Sequence, residues 1–284
     1  MVFEQNVFLG KRFIITGGGS GLGQSLAVFL IEHGAKVVLL GRSLTRLQAM
    51  QSTYGDAVEV HECNIRDHVQ VKDVMKECLK QRVHGLINNA AANFPHPTEH
   101  LSHNAFHAIF DTVASGTFYM TQAIGAHWLA QQQTGVVVSI SATYGSGAGP
   151  YVVPSAMGKA SIEAMTRSLA VEWGDRGIRL LAVAPGLIYT EGAWQHLFAE
   201  VGEASEIADF VPCGEPGTKE ALNHLIALML SDACPYLTGA VVPLDGAFAL
   251  TSGSGPFYQW FKSLNEEQWA TIKKVGLSSD RKSS

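Results

Sequence analysis

Phe13-Ile14-Ile15-Thr16-Gly17-Gly18-Gly19-Ser20-Gly21-Leu22-Gly23 is the stretch on which the fold of this chain turns. A short β-branched run, Phe13–Thr16, passes through a glycine cluster into a segment where Leu22, Leu26, Phe29 and Leu30 recur at helical spacing, and Gly34 ends that segment. Glycines let the backbone take positive φ and approach a pyrophosphate closely, while the helix start offers unpaired N–H groups and the positive end of its dipole. Tight strand-to-helix turns also use glycine for purely structural reasons. Its place between a first strand and an amphipathic helix makes this cluster a dinucleotide signal.

The pattern repeats along the chain. Lys36–Leu40, Ala57–Val60, Gly85–Asn88, Val136–Ser141, Arg179–Ala184 and Ala240–Leu244 read as further strands, separated by helical segments, one with Ile162, Met165, Leu169 and Trp173 on one face. The strand runs are almost continuously apolar, as expected where both faces are covered. The expectation is an α/β fold: a doubly wound, seven-stranded parallel sheet with helices on both faces. One domain fills residues 1–250. A linker at Thr251–Pro256 leads to a C-terminal tail, 251–284, in which Phe257, Tyr258, Trp260, Phe261, Leu264, Trp269 and Ile272 fall near helical spacing. That tail reads as a helix docked on its own domain, or as an arm toward a neighbouring subunit or a pocket.

Composition narrows the function classes. Of 284 residues, 46% are hydrophobic and 16% charged, enough to build a large core. A net charge of −5 argues against a nucleic-acid partner. Cys63, Cys78, Cys213 and Cys234 form no CxxC pair and read as reduced thiols. Neither a secretory signal nor a membrane-spanning run is visible, so a cytoplasmic location is expected. His96, His100, His103 and His107 are spaced at four, three and four residues, but Pro95 and Pro97 interrupt a common helix, and no metal site is expected.

At the end of the second strand stand Gly41-Arg42-Ser43, with Arg46 nearby, where an NAD site would place a carboxylate. A guanidinium suits a ribose 2′-phosphate, so the cofactor expected is NADP(H). Here the chain resembles the short-chain dehydrogenase/reductase family. Thr16, Gly17, Gly21 and Gly23 match its TGxxxGxG motif; Asn88-Asn89-Ala90-Ala91 is similar to NNAG, Pro185-Gly186 to its PG, and Asp245-Gly246-Ala247 to its DGG. The resemblance covers residues 8–250 and implies a Rossmann-type fold. It further implies cofactor contacts at Gly17, Gly19, Ser20, Gly21, Leu22, Arg42, Asn64, Ile65, Asn89, Lys159, Pro185, Gly186, Ile188 and Thr190.

The family's YxxxK pair is altered. Lys159 is present, but Ser155 stands four residues before it, and Ala142 replaces the usual serine partner. A serine hydroxyl is a whole ring shorter than a tyrosine and cannot reach the same substrate atom. Tyr144 lies just past the fifth strand, at the edge where this fold binds ligands; Tyr151 is its rival. Ala142-Thr143-Tyr144-Gly145 through Lys159-Ala160, together with Asn89–Phe94 and Val211–Gly214, resemble the 2,4-dienoyl-CoA reductase branch. The resemblance implies an acyl-CoA substrate and an NADPH-dependent reduction of a conjugated enoyl thioester, most simply a 2,4-dienoyl-CoA to a 3-enoyl-CoA. Tyr144 would hold the thioester oxygen, Lys159 the nicotinamide ribose, and Ser155 would hydrogen-bond beside them. That branch usually carries an asparagine before Gly116-Thr117; here Ser115 takes its place. The neighbouring trans-2-enoyl-CoA reductases, a carbonyl reductase with Tyr144 as acid, and a nucleotide-binding regulator without catalysis are the alternatives. Phe94 and Trp194 are the expected acyl contacts, the latter in a lid-like segment between Gly186 and Pro212. The family also implies a homotetramer built on helices containing residues 104–130 and 154–173.

Overall fold

Thr16, the last residue of the first strand, closes a strand whose five residues are all buried. The computed structural model describes residues 4–188, 211–253 and 260–270. Seven strands, β1 (Arg12–Thr16), β2 (Lys36–Gly41), β3 (Val58–Glu62), β4 (Gly85–Asn88), β5 (Gly135–Ile140), β6 (Ile178–Pro185) and β7 (Val241–Leu244), pair in parallel in the order β3-β2-β1-β4-β5-β6-β7. Each lies within two residues of the stretch expected from sequence. Between them run α1 (Gly21–Glu32), α2 (Leu44–Tyr54), α3 (His68–Cys78), α4 (His103–Phe110), α5 (Gly116–Ala130), α6 (Val153–Trp173) and α7 (Lys219–Leu230).

Successive strand residues enter opposite cores, the period of two that a pleated strand imposes. Phe13, Ile15, Val37 and Leu39 pack with Leu26, Leu30, Leu222 and Ile226 of α1 and α7. Ile14, Val38 and Leu40 face the other way, toward Val71, Met75, Met120 and Ile124 of α3 and α5. Both faces being covered, the apolar runs show no alternation. Aromatic rings lock the second layer: Trp128 is fully buried and donates to Val83 O at 3.0 Å. A Cβ on Gly135 would stand 2.6 Å from that ring, and one on Gly125 would stand 2.4 Å from Trp173.

One detail differs from the sequence reading. The segment containing residues 104–130 is not one uniform helix; a π turn, Asp111–Ser115, joins α4 to α5, widening the helix just ahead of Gly116. In the described part of the tail, Trp260, Phe261 and Trp269 remain 52%, 41% and 46% exposed, and Phe261 stacks on Trp269 with centroids 5.7 Å apart. Phe257, Tyr258 and Ile272 lie outside the described residues. No helix among the described residues is long and apolar enough to cross a membrane.

The strand order reverses between β1 and β4, so the C-terminal ends of those strands, Thr16 and Asn88, flank the crevice where doubly wound sheets bind ligands.

Candidate active site

The glycine turn lies in that crevice. Gly17 and Gly21 take φ of +68° and +57°, values that exclude most side chains, and a Cβ on Gly21 would meet nothing within 4 Å. Close packing accounts for two other glycines: a Cβ on Gly18 would reach Leu39 at 2.7 Å, and one on Gly23 would reach Gly17 O at 2.5 Å. Ser20 precedes α1 without a side-chain cap, and the first turn carries no acidic residue. The helix start is therefore open for an anion, with its dipole and leading N–H groups unmasked.

Asn89, expected at the cofactor, braces the glycine turn. Its Nδ2 donates to Thr16 O at 2.9 Å and Gly17 O at 3.3 Å, while Thr16 Oγ1 accepts from the Asn89 and Ala90 N–H groups at 3.0 Å each. Arg42 is exposed just past β2, and Arg46 flanks the same turn, its Cβ 3.2 Å from where a Gly19 Cβ would stand. Asn64 O and Oδ1 accept from Asp67 and Arg66 N–H groups, shaping the turn after β3, and Ile65 is buried against Gly116. Pro185 ends β6; Gly186 donates to Leu244 O at 3.0 Å, and Ile188 pairs with Gly217. Thr190 and Trp194 lie outside the described residues.

Across the crevice, α6 presents Ser155 and Lys159 one turn apart, both buried, toward the end of β5. Lys159 Nζ donates to Ile140 O. Complete burial disfavours its ammonium and brings the pKa from 10.5 to about 8. Tyr144 enters from the short 3-10 turn Thr143–Gly145, and its Oη lies 3.2 Å from Ser155 Oγ. Burial raises the pKa of this phenol, and the Ser155 hydrogen bond opposes the shift. Tyr144 is thus protonated at neutral pH and available as a donor. Tyr151 is not part of this group: it is 63% exposed, takes φ of +64°, and uses its carbonyl to hold His96 N at 2.8 Å.

Sequence reasoning quoted Asn93 only within a motif, yet the fold delivers it to the phenol. Asn93 Nδ2 lies 3.5 Å from Tyr144 Oη, and its Oδ1 is buried with no protein partner. Buried amide atoms without partners are uncommon, and Asn88 Oδ1 and Asn223 Oδ1 share this state among the described residues. Beneath the site, Ser141 Oγ donates to the buried Glu163 Oε1 at 2.9 Å; a Cβ on Gly145 would collide with both. Ser115 is the last residue of the π turn ahead of Gly116. It lines a cleft between α5 and α6 with Phe118, Ser161 and Met165, and no hydrogen bond links it to Tyr144, Ser155 or Lys159. Phe94 follows Asn93 and is 39% exposed.

Among the described residues, Glu59, His61 and Cys78 bring possible metal-ligand atoms within 4.8 Å of one another. Arg12 already occupies that corner, pairing with Glu59 Oε2 at 2.5 Å and donating to Cys78 O at 2.7 Å. Burial pushes the Cys78 thiol up to about 12, which keeps it protonated. The histidines from 96 to 107 do not share one helix: a 3-10 turn, Thr98–His100, precedes α4, which starts at His103.

A switch-point crevice with an anion-ready glycine turn on one wall and a phenol–hydroxyl–lysine group on the other is the layout of a nicotinamide-dependent oxidoreductase. The chain belongs to the short-chain dehydrogenase/reductase family, and the family model described as "Enoyl-(Acyl carrier protein) reductase" matches residues 17–248. It is 39% identical over 242 residues to a Bacillus subtilis protein named "Probable 2,4-dienoyl-CoA reductase [(2E)-enoyl-CoA-producing]", covering 83% of this chain and 95% of that one. It is 33% identical over 283 residues to the Caenorhabditis elegans "Probable 2,4-dienoyl-CoA reductase 3 [(3E)-enoyl-CoA-producing]", covering 96% and 92%. Among solved structures, a short chain dehydrogenase from Bacillus anthracis superposes with a TM-score of 0.76 at 35% identity, covering 84% of this chain and 96% of that one.

Proposed function

We propose that this chain is an NADPH-dependent reductase of conjugated enoyl-CoA thioesters, with a 2,4-dienoyl-CoA as substrate and a 3-enoyl-CoA as product. The observation that carries the reading is the placement of the Tyr144 hydroxyl between Asn93 Nδ2 and Ser155 Oγ, with Ser155 one helical turn from Lys159 on α6. The names of the relatives at 39% and 33% identity support the substrate class.

The open α1 start and Gly21 fit a pyrophosphate, Arg42 and Arg46 fit a 2′-phosphate, and Lys159 fits the nicotinamide ribose. When bound, the dihydronicotinamide supplies the hydride. Hydride arriving at the far carbon of a conjugated thioester places negative charge on the thioester oxygen, and the protein must supply donors aimed there. Tyr144 Oη has two lone pairs and one proton. With Asn93 Nδ2 and the Ser155 hydroxyl donating to the lone pairs, the phenolic proton is left for the thioester oxygen. Asn93 and Ser155 are then positioning residues. The carbon proton that completes reduction comes from solvent.

The test is a matched rate assay following NADPH absorbance with a 2,4-dienoyl-CoA and a trans-2-enoyl-CoA, together with Tyr144→Phe. Faster turnover of the dienoyl substrate is expected. In Tyr144→Phe, kcat should fall by about 10² to 10³, the loss typical of one oxyanion donor, with NADPH affinity unchanged. Preference for the monoenoyl substrate would move the protein to the neighbouring branch. Unaltered kcat in Tyr144→Phe would overturn the role given to the phenol.

A further inference from the structure

At the opposite edge of the sheet, where β1, β4, β5 and β6 begin, lies a cavity of about 580 Å³. That volume falls in the range of small-molecule sites. Its charged lining is lopsided in a chain of net charge −5: Lys11, Arg82 and Arg179 are present against one carboxylate, Asp232. The two guanidiniums are half-buried and held by neutral acceptors. Arg82 donates to Val83 O at 2.8 Å, to Gln133 Oε1 at 2.7 Å and to Thr134 O at 2.5 Å; Arg179 donates to Ser231 O at 3.0 Å. Neither has a carboxylate within ion-pair distance among the described residues; Asp232 Oδ2 pairs with Lys11 Nζ at 2.8 Å.

His84 adds a directed donor. Its Nδ1 accepts the Arg12 N–H at 3.0 Å, so the neutral ring carries its proton on Nε2, which has no partner among the described residues. Burial and the nearby Arg82 and Lys11 charges hold the ring below its usual pKa, so it is neutral at pH 7. Tyr236, fully exposed, gives one wall a flat aromatic surface.

We propose that this cavity binds a phosphate-bearing small molecule of nucleotide size, with Lys11, Arg82, Arg179 and His84 Nε2 holding the phosphate and Tyr236 stacking on its ring. Guanidiniums fixed beforehand by backbone carbonyls lose little freedom on binding an oxyanion, and neither makes a direct ion pair that the ligand would have to break; Asp232 acts on Arg179 only through space. Asp232 and Lys11 form an exposed latch whose opening frees the ammonium for the ligand.

Calorimetric titration tests this with AMP and with pyrophosphate, on protein saturated with NADP+ so that the glycine turn is filled. Both probes should bind one per chain. Asp232→Asn, which removes the competing carboxylate, should tighten binding about fivefold, and Lys11→Gln should weaken it about fivefold. Opposite shifts from two exposed, paired side chains separate a charge effect from a folding defect. Tyr236→Ala should weaken AMP but leave pyrophosphate unchanged. Absence of binding to the NADP+-saturated protein, or binding unmoved by both charge variants, would overturn the site. Equal loss of both probes in Tyr236→Ala would overturn the stacking. The result is independent of which thioester, if any, the enzyme reduces.

Discussion

Lys159 places its ammonium in full burial, and desolvation takes its pKa from 10.5 to about 8. The folded pKa lies below the unfolded one, so between pH 8 and 10.5 the unfolded chain binds more protons. Stability therefore rises with pH through that window, and the cost of charging the buried group is fully present below pH 8. The shift corresponds to roughly 3 kcal/mol at most, reduced by about 1 kcal/mol for the hydrogen bond to Ile140 O. Lys159→Met without cofactor should be more stable than the parent at pH 7 by about 2 kcal/mol in denaturant titration, the gap closing toward pH 10.5, and it should be inactive. A less stable variant at pH 7 would show that the ammonium is better solvated than its burial implies. At this scale the sequence was informative where spacing along one helix decides the geometry: Ser155 and Lys159 share a face because they are four residues apart. Tyr144 was legible from its place beyond β5. Asn93 was not, because it reaches Tyr144 from 51 residues away, through loops whose paths no local rule predicts. Ser115, expected in place of the branch's asparagine, ends a π turn that the sequence did not announce and lines a cleft with Phe118 and Met165.

Elements followed from sequence more closely than residues did. The five inner strands were readable as apolar runs because both their faces are buried, the edge strands β3 and β7 from shorter, partly buried runs, and the first helix from the recurrence of Leu22, Leu26, Phe29 and Leu30. A π turn leaves almost no periodic trace, so Asp111–Ser115 was hidden inside what reads as one long helix. Element packing makes its own prediction at Gly125. That residue lets α5 approach the Trp173 ring at the end of α6, and an added Cβ would stand 2.4 Å from it. The ring is 7% exposed in a packed seam and has little room to move. Gly125→Ala should destabilise the protein by about 1–3 kcal/mol, the range for overpacking, despite the better helix propensity of alanine. An unchanged melting temperature would mean that the α5–α6 seam yields easily.

For the whole molecule, the parallel sheet sorts function by edge. Strand C-terminal ends carry the glycine turn and Tyr144; strand N-terminal ends carry the cationic cavity. A cofactor that joins the two halves of the crevice stabilises the native state as a whole. At 100 times its Kd, NADPH should add about 2.7 kcal/mol, or about 5–10 °C in Tm for a domain of this size. NADH at the same concentration should add much less, and Arg42→Ala should bring the two cofactors together. Equal shifts from both cofactors in the parent protein would contradict the role of Arg42 as a 2′-phosphate contact.

Strand and helix order, the glycine turn and the α6 pair were legible in the chain because they depend on neighbours within about ten residues, where periodicity and backbone geometry govern. The order β3-β2-β1-β4-β5-β6-β7, the meeting of Asn93 with Tyr144, and the gathering of Lys11, Arg82, His84 and Arg179 were decided by tertiary packing. These depend on which distant strands pair and which loops then lie side by side. Burial of the whole core settles that choice, and no local segment carries enough of that free energy to specify it alone.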